Sequence, residues 1–290
     1  MATPLASRRI VIAGASSLLG AELKSLLEES RFAASDFRLV DEESVAGILT
    51  EAGGEPAVIQ PVEEDSFSKA WIVFFAGSSE FTRRNLDLAK RSGVRIVDLS
   101  GEIAGHAHVQ TWLPKLNELT DSALRTDEKL FAVPSAPAEI IARLSLALHS
   151  FKLASLAAVA FQPVSSSAGK SGIDELESQT GQLLTFQPLG KEVFDAQVAF
   201  TMLDRFGEAS RQKLQQPLEI LPLGTTINFA NKFPVTGDST SSRSRILRYD
   251  RNRLRCFGYP GRHSSDRKSL CINLRLPAAN AVKLAEKLLE

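Results

Sequence analysis

This chain has little of what would mark an oxidising or membrane setting. Of its 290 residues only Cys256 and Cys271 are cysteines, too few for a disulfide framework and in keeping with a reducing compartment. No apolar run is long enough to span a bilayer, and Met1 to Arg9 lacks the apolar stretch of a secretion signal. A cytoplasmic protein without a membrane partner is expected. Surplus charge is absent too: 34 basic residues balance 34 acidic ones, which removes the general attraction to nucleic acid. Arg243, Arg245, Arg251, Arg253 and Arg255 fall at period two and read as the solvated face of strands, not as an anion site. Histidine is scarce. His106 and His108 stand two apart with no third ligand type clustered nearby, so no metal site is expected.

What is present is organised around Ile10-Val11-Ile12-Ala13-Gly14-Ala15-Ser16-Ser17-Leu18-Leu19-Gly20. Arg9 to Ala13 is apolar and β-branched, as a short buried strand should be. Leu23, Leu26 and Leu27 then recur at helical spacing. A strand, a glycine turn and a helix aim backbone N–H groups and a positive dipole end at one point, where a nucleotide pyrophosphate can sit. Ser17 stands where a middle glycine would help, so the fingerprint is a weakened one. Asp41, about twenty residues past Gly20, follows a second strand, Phe37 to Val40. It reads equally as an acceptor for an adenosine ribose or as an ordinary acidic turn.

Further along, Ala70 to Phe75 is a continuous apolar strand ending in Ala76-Gly77-Ser78-Ser79. A helix over Phe81 to Ser92 and a strand over Val94 to Ser100 follow. This rhythm predicts a parallel sheet with right-handed crossovers. Phe131 to Pro137 is a strand running into a tight turn, and Ala138 to Ser150 an apolar helix. From Leu153 the texture changes. Ala154 to Phe161 reads as a strand, Gln162 to Gly172 as a small-residue loop and Ile173 to Leu183 as a helix. Gly169-Lys170-Ser171 resembles the end of a phosphate loop, but Val164 stands where that motif needs its first glycine. Alternating runs at Thr225 to Phe229, Ser242 to Arg248, Leu254 to Gly258 and Leu270 to Leu276 predict an antiparallel sheet with one buried face. A last amphipathic helix begins at Pro277. The fold class is therefore α/β. A Rossmann-like parallel-sheet domain spans residues 1–135 and is completed by a helix over 277–290. An α+β domain with a mostly antiparallel sheet spans 136–276.

Several segments together resemble the aspartate-semialdehyde dehydrogenase family. They are the Gly14 to Gly20 turn, Phe75-Ala76-Gly77-Ser78-Ser79, Val97-Asp98-Leu99-Ser100, and Phe161-Gln162-Pro163 through Gly172-Ile173-Asp174-Glu175-Leu176. Ala199 to Leu203, Phe233-Pro234-Val235 and Asn273-Leu274-Arg275 with Asn280 match later landmarks. The resemblance implies a dinucleotide bound by Gly14, Ser16, Ser17, Leu18, Gly20, Asp41, Ala76, Gly77 and Asn280. It also implies a homodimer.

Such enzymes reduce an acyl phosphate to an aldehyde with a nicotinamide cofactor, through a cysteine thioester and a histidine that moves protons. Here Ala136 stands in the cysteine's place, and a methyl group is no nucleophile. Asp238 stands in the histidine's place and Ala104 in that of a substrate-binding arginine. Only Gln162 is kept. The family's pocket for a 2′-phosphate corresponds to Asp41-Glu42-Glu43-Ser44, whose carboxylates repel that group, so NAD is expected over NADP. The implied protein is an NAD(P)-binding scaffold without the thioester chemistry. The alternative is an active oxidoreductase on a semialdehyde or acyl phosphate, with direct hydride transfer and Ser135 or Asp238 doing the proton work.

Overall fold

A computed structural model describes residues 8–114, 124–147, 163–201, 219–220, 226–227 and 272–289. The first strand, β1 (Arg9–Ala13), is buried from Ile10 onward and enters α1 (Leu18–Glu28) through the glycine turn. There follow β2 (Asp36–Asp41) and a 3-10 turn at Glu43–Val45. A two-stranded antiparallel ribbon comes next, of β3 (Leu49–Ala52) and β4 (Glu55–Val58), then the short β5 (Gln60–Pro61). β6 (Ala70–Phe75), α2 (Ser79–Arg91), β7 (Arg95–Asp98), β8 (Val109–Thr111) and β9 (Leu130–Ala132) complete the sheet region. Beyond it lie α3 (Ala136–Ala147), α4 (Val164–Leu184) and the pair β10 (Glu219–Ile220) and β11 (Thr226–Ile227). The last element is α5 (Ile272–Lys287).

Seven strands form one sheet in the order β5-β2-β1-β6-β7-β9-β8, and every pairing in it is parallel. A parallel sheet needs cover on both faces, and alternate residues of each strand supply it. Ile10, Ile12, Ile72, Phe74 and Val97 face α1 and α5, packing with Leu23, Leu27, Ala281, Leu284 and Ala285. Val11, Ala13, Val73, Phe75 and Ile96 face the other way, with Phe67 and with Phe81, Leu86 and Ala89 of α2. That two-sided burial explains why β1 and β6 read as unbroken apolar runs. The α/β class is as the sequence implies.

Two expectations are corrected. The loop expected over Gln162 to Gly172 is helical from Val164, where α4 begins after Pro163 at its N-cap. The small residues there join two helical pieces across Gly169, whose φ of 58° and ψ of −137° break the helical path without ending it. In place of the strand expected over Leu270 to Leu276, α5 starts at Ile272 and carries Pro277 inside it. Alternation of Leu270, Ile272, Leu274 and Leu276 imitates a strand. Ala278, Ala281, Val282 and Ala285, spaced by three and four, bury one helical face against the sheet instead. Of the other expected antiparallel strands, Thr225 to Phe229 contains β11, paired antiparallel with β10. Ser242 to Arg248, Leu254 to Gly258 and the strand Ala154 to Phe161 lie outside the described residues.

Candidate functional site

Strands that all point one way bring the ends of β1, β2, β6, β7 and β9 to one edge of the sheet, and the loops beyond them meet there. At the centre is Gly14. Its φ is +86°, and a Cβ on it would stand 2.3 Å from the amide nitrogen and 2.4 Å from the Cα of Gly77. The β1 and β6 loops therefore touch backbone to backbone, with no room for a side chain between them. Gly20 is equally constrained, since its Cβ would fall 2.4 Å from the Gly14 carbonyl oxygen. Both ends of the fingerprint need glycine for close approach.

Ser17, in the missing glycine's place, does two jobs. Its backbone is extended (φ −67°, ψ 156°), and its Oγ accepts from the Gly20 N–H at 2.8 Å, capping α1. The same hydroxyl donates to the Ala76 carbonyl at 2.7 Å, tying the two loops together. Leu18 and Leu19 precede the first intrahelical bond, from the Ala21 N–H to the Ser17 carbonyl at 2.9 Å. Their amides belong to the helix's unpaired first turn, at its positive dipole end. Helix α2 starts at the same edge, capped by Ser78, whose Oγ accepts from the Phe81 N–H at 3.1 Å.

Asp41, the last residue of β2, is 6% exposed. Its Oδ2 accepts from the Ser16 N–H and its Oδ1 from the Glu42 N–H, each at 2.8 Å. Glu42 is more open and pairs with Arg84 of α2. At the end of β7, Asp98 is fully buried. Its Oδ1 accepts from the Ser100 N–H (2.8 Å) and Oγ (2.6 Å), and its Oδ2 from the Ile103 N–H (3.0 Å). Burial pushes this carboxyl above its ordinary value, against the opposing pull of those hydrogen bonds. Asp98 shapes the third loop at this edge, where Ser79 of α2 donates to the Ser100 carbonyl. Its one signal in the sequence is an acid closing an apolar strand.

Ala136 opens α3, after β9, and is fully buried. The Ser135 carbonyl accepts from the Glu139 N–H at 3.0 Å, so Ser135 takes part in starting that helix. Asn280 lies on α5 with 2% exposure. Its Nδ2 donates to Glu139 Oε2 at 2.6 Å, and its carbonyl accepts from Trp112 Nε1 at 3.0 Å. Glu139 also pairs with Arg143. The side-chain amide nitrogen of Asn280 is thus engaged inside the protein. Gln162 and Asp238 lie outside the described residues, as do Cys256 and Cys271. Among the described residues no three His, Cys, Asp or Glu side chains cluster as metal ligands, and no helix is long and apolar enough to cross a membrane.

A two-faced parallel sheet, a glycine turn at its edge, and a helix starting where the turn ends define a Rossmann-type nucleotide-binding domain. More closely, residues 9–123 match the family model of the semialdehyde dehydrogenase NAD-binding domain. The chain is 31% identical over 204 residues to a USG-1 protein homolog of Azotobacter vinelandii, covering 69% of this chain and 59% of that protein. It is 24% identical over 200 residues to aspartate-semialdehyde dehydrogenase 2 of Vibrio cholerae, covering 69% and 59% respectively. The chain therefore spans about three fifths of the length of the curated relatives it matches. Its fold is similar to that of a probable aspartate-semialdehyde dehydrogenase from Pseudomonas aeruginosa. The TM-score is 0.56 at 23% identity, covering 72% of this chain and 64% of that one.

Proposed function

We propose that this chain is a dinucleotide-binding scaffold of the aspartate-semialdehyde dehydrogenase type that has given up thioester chemistry and takes NAD in preference to NADP. The observation that carries the reading is the side chain of Ala136. It is a fully buried methyl group at the start of α3, in the position where the resemblance calls for the attacking thiolate. A methyl group can neither attack a carbonyl nor leave one. The turn at Gly14 meanwhile retains the close backbone approaches that a nucleotide cradle needs. Loss of a covalent nucleophile costs on the order of a millionfold in rate, so binding outlives turnover. A homodimer, inherited from the resemblance, and a reducing, cytoplasmic setting complete the proposal.

The test is calorimetric titration with NAD and NADP, paired with an absorbance assay of the reduced cofactor on aspartate semialdehyde and phosphate. Binding of NAD without turnover supports the reading. Turnover that Ser135→Ala abolishes would replace it with the active, cysteine-free oxidoreductase. Light scattering that gives a monomer at micromolar concentration would remove the dimer.

A further inference from the structure

The segments that enter the strands meet at the opposite edge of the sheet from the glycine turn. There a cleft of about 470 Å³ opens among the starts of β6, β7 and β9, within the size range of small-molecule sites. In the sheet β7 lies between β6 and β9. Three neighbouring backbones, about 4.8 Å apart, therefore each bring a cation to the cleft. Lys69 precedes β6, Arg95 opens β7 and Lys129 precedes β9. The Ile96 N–H donates to the Lys129 carbonyl at 2.7 Å, which holds the last two side by side. Among the described residues Lys69, Arg95 and Lys129 form no ion pair. Two acids line the same cleft. Glu128 pairs with Arg125 at 3.1 Å, which leaves Asp127 as the one acid there outside an ion pair.

We infer that this cleft is a second binding site, for a small anion that carries two or three carboxylate or phosphate groups. Like charges gathered without counter-ions repel one another, and a multivalent anion relieves that repulsion. The backbone points the same way. Lys69 has a φ of 58°, a left-handed conformation that glycine adopts freely and lysine only under strain. A strained residue that keeps its long cationic side chain beside two further cations is what a ligand clamp requires. Gly93, on the same cleft, has a φ of +68°, and a Cβ on it would stand 3.7 Å from Lys129 Nζ. The Lys129 ammonium thus lies over bare backbone, with no side chain there to shield it. Trp71 also lines the cleft, but its ring is already engaged by Phe32, at 5.7 Å between centroids, and by Arg8, at 5.0 Å. Recognition therefore falls to charge, not to the stacking of a base. Three cations spread over about 10 Å suit several anionic groups on one ligand, and a monovalent ion can answer only one of them. The six residues of β6 separate this cleft from the Gly77 loop by about 20 Å, so a ligand here leaves the nucleotide edge open.

The experiment is calorimetric titration of the full chain with citrate and, separately, with inorganic pyrophosphate, against acetate as the monovalent control. One of the two multivalent anions should bind at least about tenfold more tightly than acetate, as one further charge-assisted contact supplies. The tighter of the two tells whether carboxylate or phosphate is the group taken. Arg95→Gln and Lys129→Gln should each weaken that binding about threefold to tenfold. Lys283→Gln, which removes an exposed charge on α5, should change it by less than about twofold. Lys69→Gly separates ligand from fold. It should weaken the anion as the other two do, yet melt at or above the wild-type temperature, because glycine relieves the strain. A merely structural lysine would lose stability along with affinity, and that result overturns the inference. So does binding no tighter than that of acetate, wild-type affinity in the three cleft variants, or an equal loss in Lys283→Gln. Displacement of the anion by saturating NAD overturns it too, since that places the anion at the glycine turn. A chain that binds no dinucleotide would sink the cofactor reading and leave the citrate and pyrophosphate series to decide this site.

Discussion

Gly14 and Gly77 meet across the mouth of the sheet with no side chain between them: a Cβ on the first would lie 2.3 Å from the amide nitrogen of the second. Two loops more than sixty residues apart in sequence are thereby held in backbone contact, and Ser17 Oγ, donating to the Ala76 carbonyl, seals the junction.

Gly14→Ala should therefore be severe. Alanine at φ +86° costs about 1–2 kcal/mol in backbone strain alone. The clash with Gly77 must then push the β6 loop away. We expect a total loss of about 3 kcal/mol or more in urea denaturation, with dinucleotide binding lost as well. A loss under about 1 kcal/mol would mean that the loops yield more easily than their contact implies.

Asp98 predicts a pH dependence. Its carboxyl is raised above the ordinary value of 3.8 by burial, so the folded chain holds this proton at pH values where the unfolded chain has released it. Folding stability from this group consequently falls as pH rises from about 4 up through the raised value. Asp98→Asn keeps an acceptor for Ser100 but turns an amide toward the Ile103 N–H. The variant should be least favourable near pH 4 and should recover relative to wild type as pH rises. Denaturation curves from pH 4 to 7 test this. Wild type gaining on the variant across that interval would reverse the assignment.

Asn280 separates a packing role from a ligand role. Asn280→Ala removes the donor that Glu139, itself 2% exposed, receives at 2.6 Å. We expect about 2–4 kcal/mol of destabilisation. Asn280→Asp should be worse, because it sets a second carboxylate against the first. If Asn280→Ala instead leaves the melting temperature in place and selectively weakens dinucleotide binding, the residue belongs to the ligand after all.

The sheet was legible where one physical demand dominates. Burial on both faces writes β1 and β6 as unbroken apolar runs, and the need for close backbone approach places glycine at 14, 20 and 77. It was illegible where two patterns coexist. The alternation of Leu270 to Leu276 mimics a strand because every second residue is apolar, and only the later spacing through Ala285 identifies a helix. The serines at 165–167 look like a loop because their helix propensity is modest. The partners of Asp41, Asp98 and Glu139 are all set by contacts between loops or helices distant in sequence. Residue type announced an acid at each position, and only the fold says what it holds.

The closing helix α5 has a consequence for synthesis. Its residues Ala278 to Leu288 share a core with Ile10 and Ile12 of β1, and Arg275 pairs with Glu22 of α1. A nascent chain emerging from the ribosome can assemble most of the parallel sheet early, yet one face stays wet until these last turns arrive. During that interval Ile72 and Phe74 of the sheet and Leu27 of α1 lack the cover that α5 supplies, the kind of transiently exposed apolar surface that invites aggregation.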